Sequence, residues 1–103
     1  MSDRLDSLLK LLKKDPDDSF LSYGVALEYI STNIFEEAET YLTSLLKKDP
    51  DYIPAYMQLA QVYENINLID KAKNVYKEGI EIARKNNELH AAKEMEDFLN
   101  ELK

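Results

Sequence analysis

The chain has no cysteine, only 2 glycines, 3 prolines and a single histidine among 103 residues. Without thiols there is no disulfide staple and no thiolate metal site, and a reducing compartment is permitted. So few turn-forming residues cannot punctuate a succession of short strands, which leaves helices to carry the structure. No apolar run approaches the ~20 residues that a membrane-spanning helix needs. Positive charge is in deficit, with 13 Lys+Arg against 20 Asp+Glu and a formal net charge of -7. Such a surface repels a phosphate backbone and an acidic lipid leaflet, so neither nucleic acid nor membrane is an expected partner. The basic doublets Lys13–Lys14, Lys47–Lys48 and Arg84–Lys85 each close a predicted helix, where a cation complements the negative end of the helix dipole.

What is present favours one class. Hydrophobic residues make up 45% and charged residues 32%, and the abundance of Leu, Ala, Glu and Lys suits helices. The length fits one domain, large enough to bury a core. The expected fold class is all-α. The segment from Met1 to Lys14 is amphipathic, yet Asp3, Asp6 and the lack of an uninterrupted apolar stretch separate it from a targeting peptide. It reads as a structural helix in a cytoplasmic protein.

A recurrence organises the chain. Leu11–Leu12–Lys13–Lys14–Asp15–Pro16–Asp17 returns unchanged, 34 residues later, as Leu45–Leu46–Lys47–Lys48–Asp49–Pro50–Asp51. The same offset pairs Leu8 with Leu42, Ala26 with Ala60, Tyr29 with Tyr63, Asn33 with Asn67 and Ala38 with Ala72. Leu5, Leu8, Leu9 and Leu12 have helical spacing, which predicts a first helix over 3–14. Asp15–Pro16 ends it, because the residue before proline is pushed out of the α region. Asp17 or Asp18 is placed to cap a second helix running to Ser31. Asn33 marks a tight turn, either by adopting a left-handed conformation or by capping the helix over 34–48 with Glu36 three residues on. The second unit copies this design: Asp51 is expected to cap a helix over 52–65, with Pro54 harmless in its first turn. Asn67 makes the next turn into a helix over 68–85. Asn86–Asn87 then breaks the chain before a last helix over 88–102.

A 34-residue period of helix–turn–helix units resembles the tetratricopeptide repeat (TPR) family. The second unit carries the likeness best, through Tyr56, Leu59, Ala60, Tyr63, Ala72 and Tyr76, with Gly79 where an alanine is usual and Arg84 where a proline is common. The first unit has Val25, Ala26, Tyr29, Ala38, Leu42 and Pro50 in place and departs at Ser22, where a large residue is usual. The resemblance implies a right-handed α-α superhelix in a single 1–103 domain. An N-terminal helix (3–14) and a C-terminal capping helix (88–102) would flank a first repeat (18–48) and a second repeat (52–85). It also implies a concave groove lined by the first helix of each pair. Carried over, the groove residues are Phe20, Tyr23, Leu27 and Ile30, then Met57, Gln58, Gln61 and Glu64, with Pro54 and Asn65 beside them. The carboxylate-clamp subgroup needs Lys and Asn where Tyr23 and Leu27 stand, so a peptide's terminal carboxylate is not the expected ligand.

Catalytic chemistry finds no foothold. His90 lies in the last helix with no serine, cysteine or metal partner in prospect, and reads as an exposed helix residue. Asp15, Asp17 and Asp18 lack the glycine and terminal bidentate glutamate of a calcium loop. Gly24 and Gly79 are isolated within helices, so no phosphate loop exists. The expectation is no enzyme, no cofactor and no metal. The leading reading is a scaffold that binds a protein or peptide segment of apolar and basic character. The alternative is a self-associating homodimer in which a second copy fills the groove; separately, the last helix folding into the groove would cover the same stripe within one chain. An unrecognised enzyme or small-molecule binder is the third reading, and only a deep pocket of convergent titratable groups would support it.

Overall fold

The computed structural model describes residues 3–102, so Met1, Ser2 and Lys103, the ends of the expected 1–103 domain, lie outside the described residues. The chain folds as α1 (Asp3–Lys14), α2 (Ser19–Ser31), α3 (Phe35–Lys48), α4 (Ile53–Asn65), α5 (Ile69–Lys85) and α6 (Leu89–Glu101). No strand forms among the described residues. Each helix packs chiefly on its neighbours in sequence, from α1 on α2 to α5 on α6, and α4 also touches α6. Contacts confined to near neighbours are what stacked repeats produce, because each unit covers only the open face of the next. The stack is a right-handed α-α superhelix. Among the described residues no helix is long and apolar enough to cross a membrane.

Two kinds of turn set the helix angles. Asn33, Asn67 and Asn87 stand at φ of 62°, 63° and 59°, the left-handed region that asparagine tolerates better than most residues. At each, the next residue's N–H reaches back five positions: Ile34 donates to the Tyr29 carbonyl (2.9 Å), Leu68 to Tyr63 (2.8 Å) and Glu88 to Ala83 (2.7 Å). With the three-residue bonds Asn33 to Ile30, Asn67 to Glu64 and Asn87 to Arg84, these are Schellman motifs. Of the two roles open to Asn33, the left-handed one holds, since α3 starts after Ile34 without a side-chain cap.

The other kind is the Asp-Pro-Asp turn between α1 and α2 and again between α3 and α4. The Asp15 N–H donates to the Leu11 carbonyl (3.1 Å) and the Asp49 N–H to that of Leu45 (2.8 Å). Asp18 caps α2, its carboxylate accepting from the Leu21 N–H at 2.9 Å. Asp51 does not cap α4, contrary to the expectation from sequence. The 34-residue counterpart of Asp18 is Tyr52, which occupies the N-cap and offers no side-chain acceptor. Asp51 lies one residue too early and instead accepts from the Asn86 side chain at 3.1 Å. The two copies of the turn also touch: Lys48 pairs with Asp17 at 2.9 Å and the Ser19 hydroxyl donates to Asp49 at 2.9 Å.

The core runs along the stack. Ala26, Ala38, Ala60 and Ala72 are all fully buried, where a small side chain lets paired helices approach. Leu42, Val25, Tyr76 and Met95 fill the space between pairs. Gly79 marks the tightest approach: a Cβ there would lie 2.7 Å from the Tyr56 Cβ and 2.6 Å from the Met95 sulfur. The glycine is therefore required by packing, with α4 and α6 both closing on α5.

Candidate peptide-binding groove

Alternation of the helices sorts them into two layers, with α2, α4 and α6 together on one face. The Tyr23 phenol of α2 lies near Gln58 of α4, and the ring of Tyr23 packs against Tyr52 with centroids 5.3 Å apart. Burial raises the Tyr23 phenol above its ordinary range, and the contact with Gln58 works in the opposite direction. On the far side of α4, a cleft of about 460 Å³ opens toward α6, lined by Gln61, Glu64, Asn65, Phe98 and Glu101. Thus α6 lies beside α4 as a third member of the layer.

The sequence-derived residues divide into two groups on this face. Phe20 is 73% exposed in the first turn of α2. Tyr23, Leu27 and Ile30 are half-buried along the same helix, and Tyr23 and Ile30 also lean on the core. On α4, Met57 and Gln58 are half-buried, Met57 packing on the core and Gln58 lying near Tyr23. Gln61 and Glu64 belong to the cleft at the other end. One end of the face is therefore aromatic and aliphatic, and the other carries amides and carboxylates.

A buried tyrosine holds the polar end in place. Tyr76 of α5 is fully buried, yet its hydroxyl donates to the Glu64 carboxylate at 2.6 Å, and its ring stacks on Phe98 at 6.0 Å and 12°. Burial, and then the Glu64 and Glu101 charges, drive its pKa well above the tyrosine range. Tyr63 of α4 makes a parallel bond, its hydroxyl donating to Glu39 of α3 at 2.7 Å. Burial first, and the Glu39 carboxylate second, push that phenol up to about 12. A carboxylate that accepts from a phenol prefers it neutral, because ionisation would set two negative charges together.

The groove residues expected from the sequence do not include Tyr52, Tyr76, Phe98 and Glu101, which touch them in the fold. Tyr52 falls at the start of the helix expected over 52–65, and Tyr76 is among the residues that carry the second unit's likeness to the family. The signal for α6 was the third asparagine turn, which repeats the geometry of the turns inside the two units. His90, as expected, is on the surface, its side chain 92% exposed and 3.7 Å from Glu94. Among the described residues no group of three or more His, Asp or Glu is arranged to hold a metal.

Comparison with known proteins places this arrangement. A tetratricopeptide repeat family model matches residues 29–95. A tetratricopeptide repeat domain protein from Salinibacter ruber is 30% identical in its crystal structure, with 82% of this chain and 93% of that one covered and a TM-score of 0.76. The TPR2B domain of yeast Sti1 superposes with a TM-score of 0.88 at 18% identity, covering 93% of this chain and 77% of that one. The first TPR of Spaghetti (RPAP3) does so with a TM-score of 0.73 at 21% identity, over the same shares of 93% and 77%. The last two likenesses concern the fold alone. No curated protein matches the sequence. The 34-residue recurrence, the stacked helix pairs and a family match across more than half of the residues converge: the chain belongs to the tetratricopeptide repeat family.

Proposed function

We propose that this protein is a non-enzymatic interaction scaffold whose α2–α4–α6 face takes a short segment of another protein, apolar at one end and basic at the other. The observation that carries the proposal is the stripe of Phe20, Tyr23, Leu27 and Ile30. It leaves an aromatic ring 73% exposed next to half-buried aliphatic side chains on a rigid helix. Exposed apolar surface of this kind marks contact sites, and a groove built on packed helices adds no ordering cost of its own when a segment binds. Structural neighbours are consistent with the class, since Sti1 TPR2B was solved as a pHsp70 complex and RPAP3 with the HSP90 peptide SRMEEVD. Tyr23 and Leu27 carry no cation to meet a peptide carboxylate, so the ligand here differs in chemistry.

The test is binding of amphipathic peptides from a display library, followed by fluorescence titration. Leu27→Ala and Tyr23→Ala are expected to weaken selected peptides about tenfold each, the worth of one well-packed apolar anchor. Full affinity in both variants would remove α2 from the site. Light scattering over a range of concentrations addresses self-association separately, with a monomer expected.

A further inference from the structure

The cleft between α4 and α6 has features that general peptide binding does not require. One of its lining residues, Glu64, accepts at 2.6 Å from the hydroxyl of Tyr76, which is fully buried on α5. The Gln61 amide lines the cleft as well, so the carboxylate held from α5 has an amide among its neighbours. Phe98 forms an aromatic wall, stacked on the Tyr76 ring, and Glu101 stands across the opening. Nearby cations are engaged elsewhere: Arg84 with Glu96, Lys93 with Asp97 and Lys71 over the Tyr63 ring. Among the described residues no Lys or Arg pairs with Glu64 or Glu101. Glu64 and Glu101 both line the cleft, and the negative charge of each opposes ionisation of the Tyr76 phenol.

From this geometry we infer that the cleft is an anchoring site for an arginine side chain of the bound segment. A guanidinium is planar, always charged and carries five donors. It can stack on the Phe98 face while donating to Glu64 and Glu101 at its edges, with the carbonyl oxygens of Gln61 and Asn65 accepting what remains. A lysine ammonium meets the charge and can sit over a ring, but it has no planar face to lie flat on Phe98 and no fork of donors to span two carboxylates. The inference rests on the inner face being a peptide groove. It adds a direction to it, with apolar side chains on α2 and the cation at α4–α6.

The test uses nuclear magnetic resonance on the whole labelled chain, with Nα-acetyl-arginine amide as the probe. The neutral isostere Nα-acetyl-citrulline amide and Nα-acetyl-lysine amide serve as comparisons. Saturable shifts are expected at the side-chain amides of Gln61 and Asn65, the ring of Phe98 and the backbone near Glu101. They should be at least fivefold weaker with either comparison probe and about tenfold weaker in the double variant Glu64→Gln, Glu101→Gln. Glutamine at 64 still accepts from Tyr76, so that variant keeps its fold, and circular dichroism verifies it. An equal response to citrulline or lysine, no saturable response, or shifts that survive the double variant overturns the assignment. Leu27→Ala should not alter the probe's response. The groove itself is judged by Leu27-dependent peptide binding, so the two readings fail separately.

Discussion

At the scale of single residues, the two glycines look alike in the sequence and differ in the fold. Around Gly79 a methyl group would meet Tyr56 Cβ at 2.7 Å, an atom fixed to its backbone. Gly79→Ala should therefore destabilise by about 1–3 kcal/mol through overpacking, even though alanine favours the helix by about 1 kcal/mol. At Gly24 the nearest atom to such a methyl is a Leu8 methyl at 3.4 Å, an ordinary contact with a movable end. Gly24→Ala should stabilise by about 0.4–1 kcal/mol, because the unfolded chain loses freedom and nothing is displaced. Urea unfolding of both variants checks the pair, and a loss at Gly24 or a gain at Gly79 contradicts the packing described. Sequence alone showed that both glycines sit inside helices; only the distance to neighbouring helices separates them.

At the scale of elements, helix class and repeat were legible because they rest on local periodicity. The DP turns and the asparagine turns were legible too, since proline and left-handed asparagine act on their own backbone. The Asp51 role was not, because a cap depends on a shift of one residue, and Tyr52 holds the N-cap. The ion pair that joins the two turns has side chains 49% and 81% exposed, so water competes for it. Lys48→Ala should cost less than about 0.5 kcal/mol, checked by the same unfolding assay. Helix α6 is a different case. It seals α5 with Ala92 and the fully buried Met95. A chain ending at Asn86 should lose at least ~3 kcal/mol, from Met95 and the partly buried Phe98 and Leu99 alone, and should bind a hydrophobic dye.

For the whole molecule, two phenol–carboxylate bonds tie successive helices together, Tyr63 to Glu39 and Tyr76 to Glu64. Unfolded tyrosine ionises near pH 10, and in the fold Tyr63 holds its proton up to about 12. A raised folded pKa means that the unfolded state loses its proton first. The contribution is therefore complete below about pH 10 and is lost as pH rises toward and through 12. Thermal unfolding should show a melting temperature that falls over this alkaline range. Tyr63→Phe should cost about 1 kcal/mol at neutral pH and flatten the fall. A variant with the same alkaline slope as the parent would contradict this account.

Sequence by itself determined the helices, the 34-residue period, the family and the apolar stripe on α2, because each depends on residues close together in the chain. The tertiary structure decided what lies between helices. It placed α6 beside α4, brought Phe98 and Glu101 into one cleft with Gln61 and Glu64, and joined the buried Tyr76 to Glu64 and Phe98. Those residues come from three helices, and no local pattern states how far apart their side chains end. That distance is a property of packing, and packing makes the last helix one wall of the candidate cleft as well as the cover of α5.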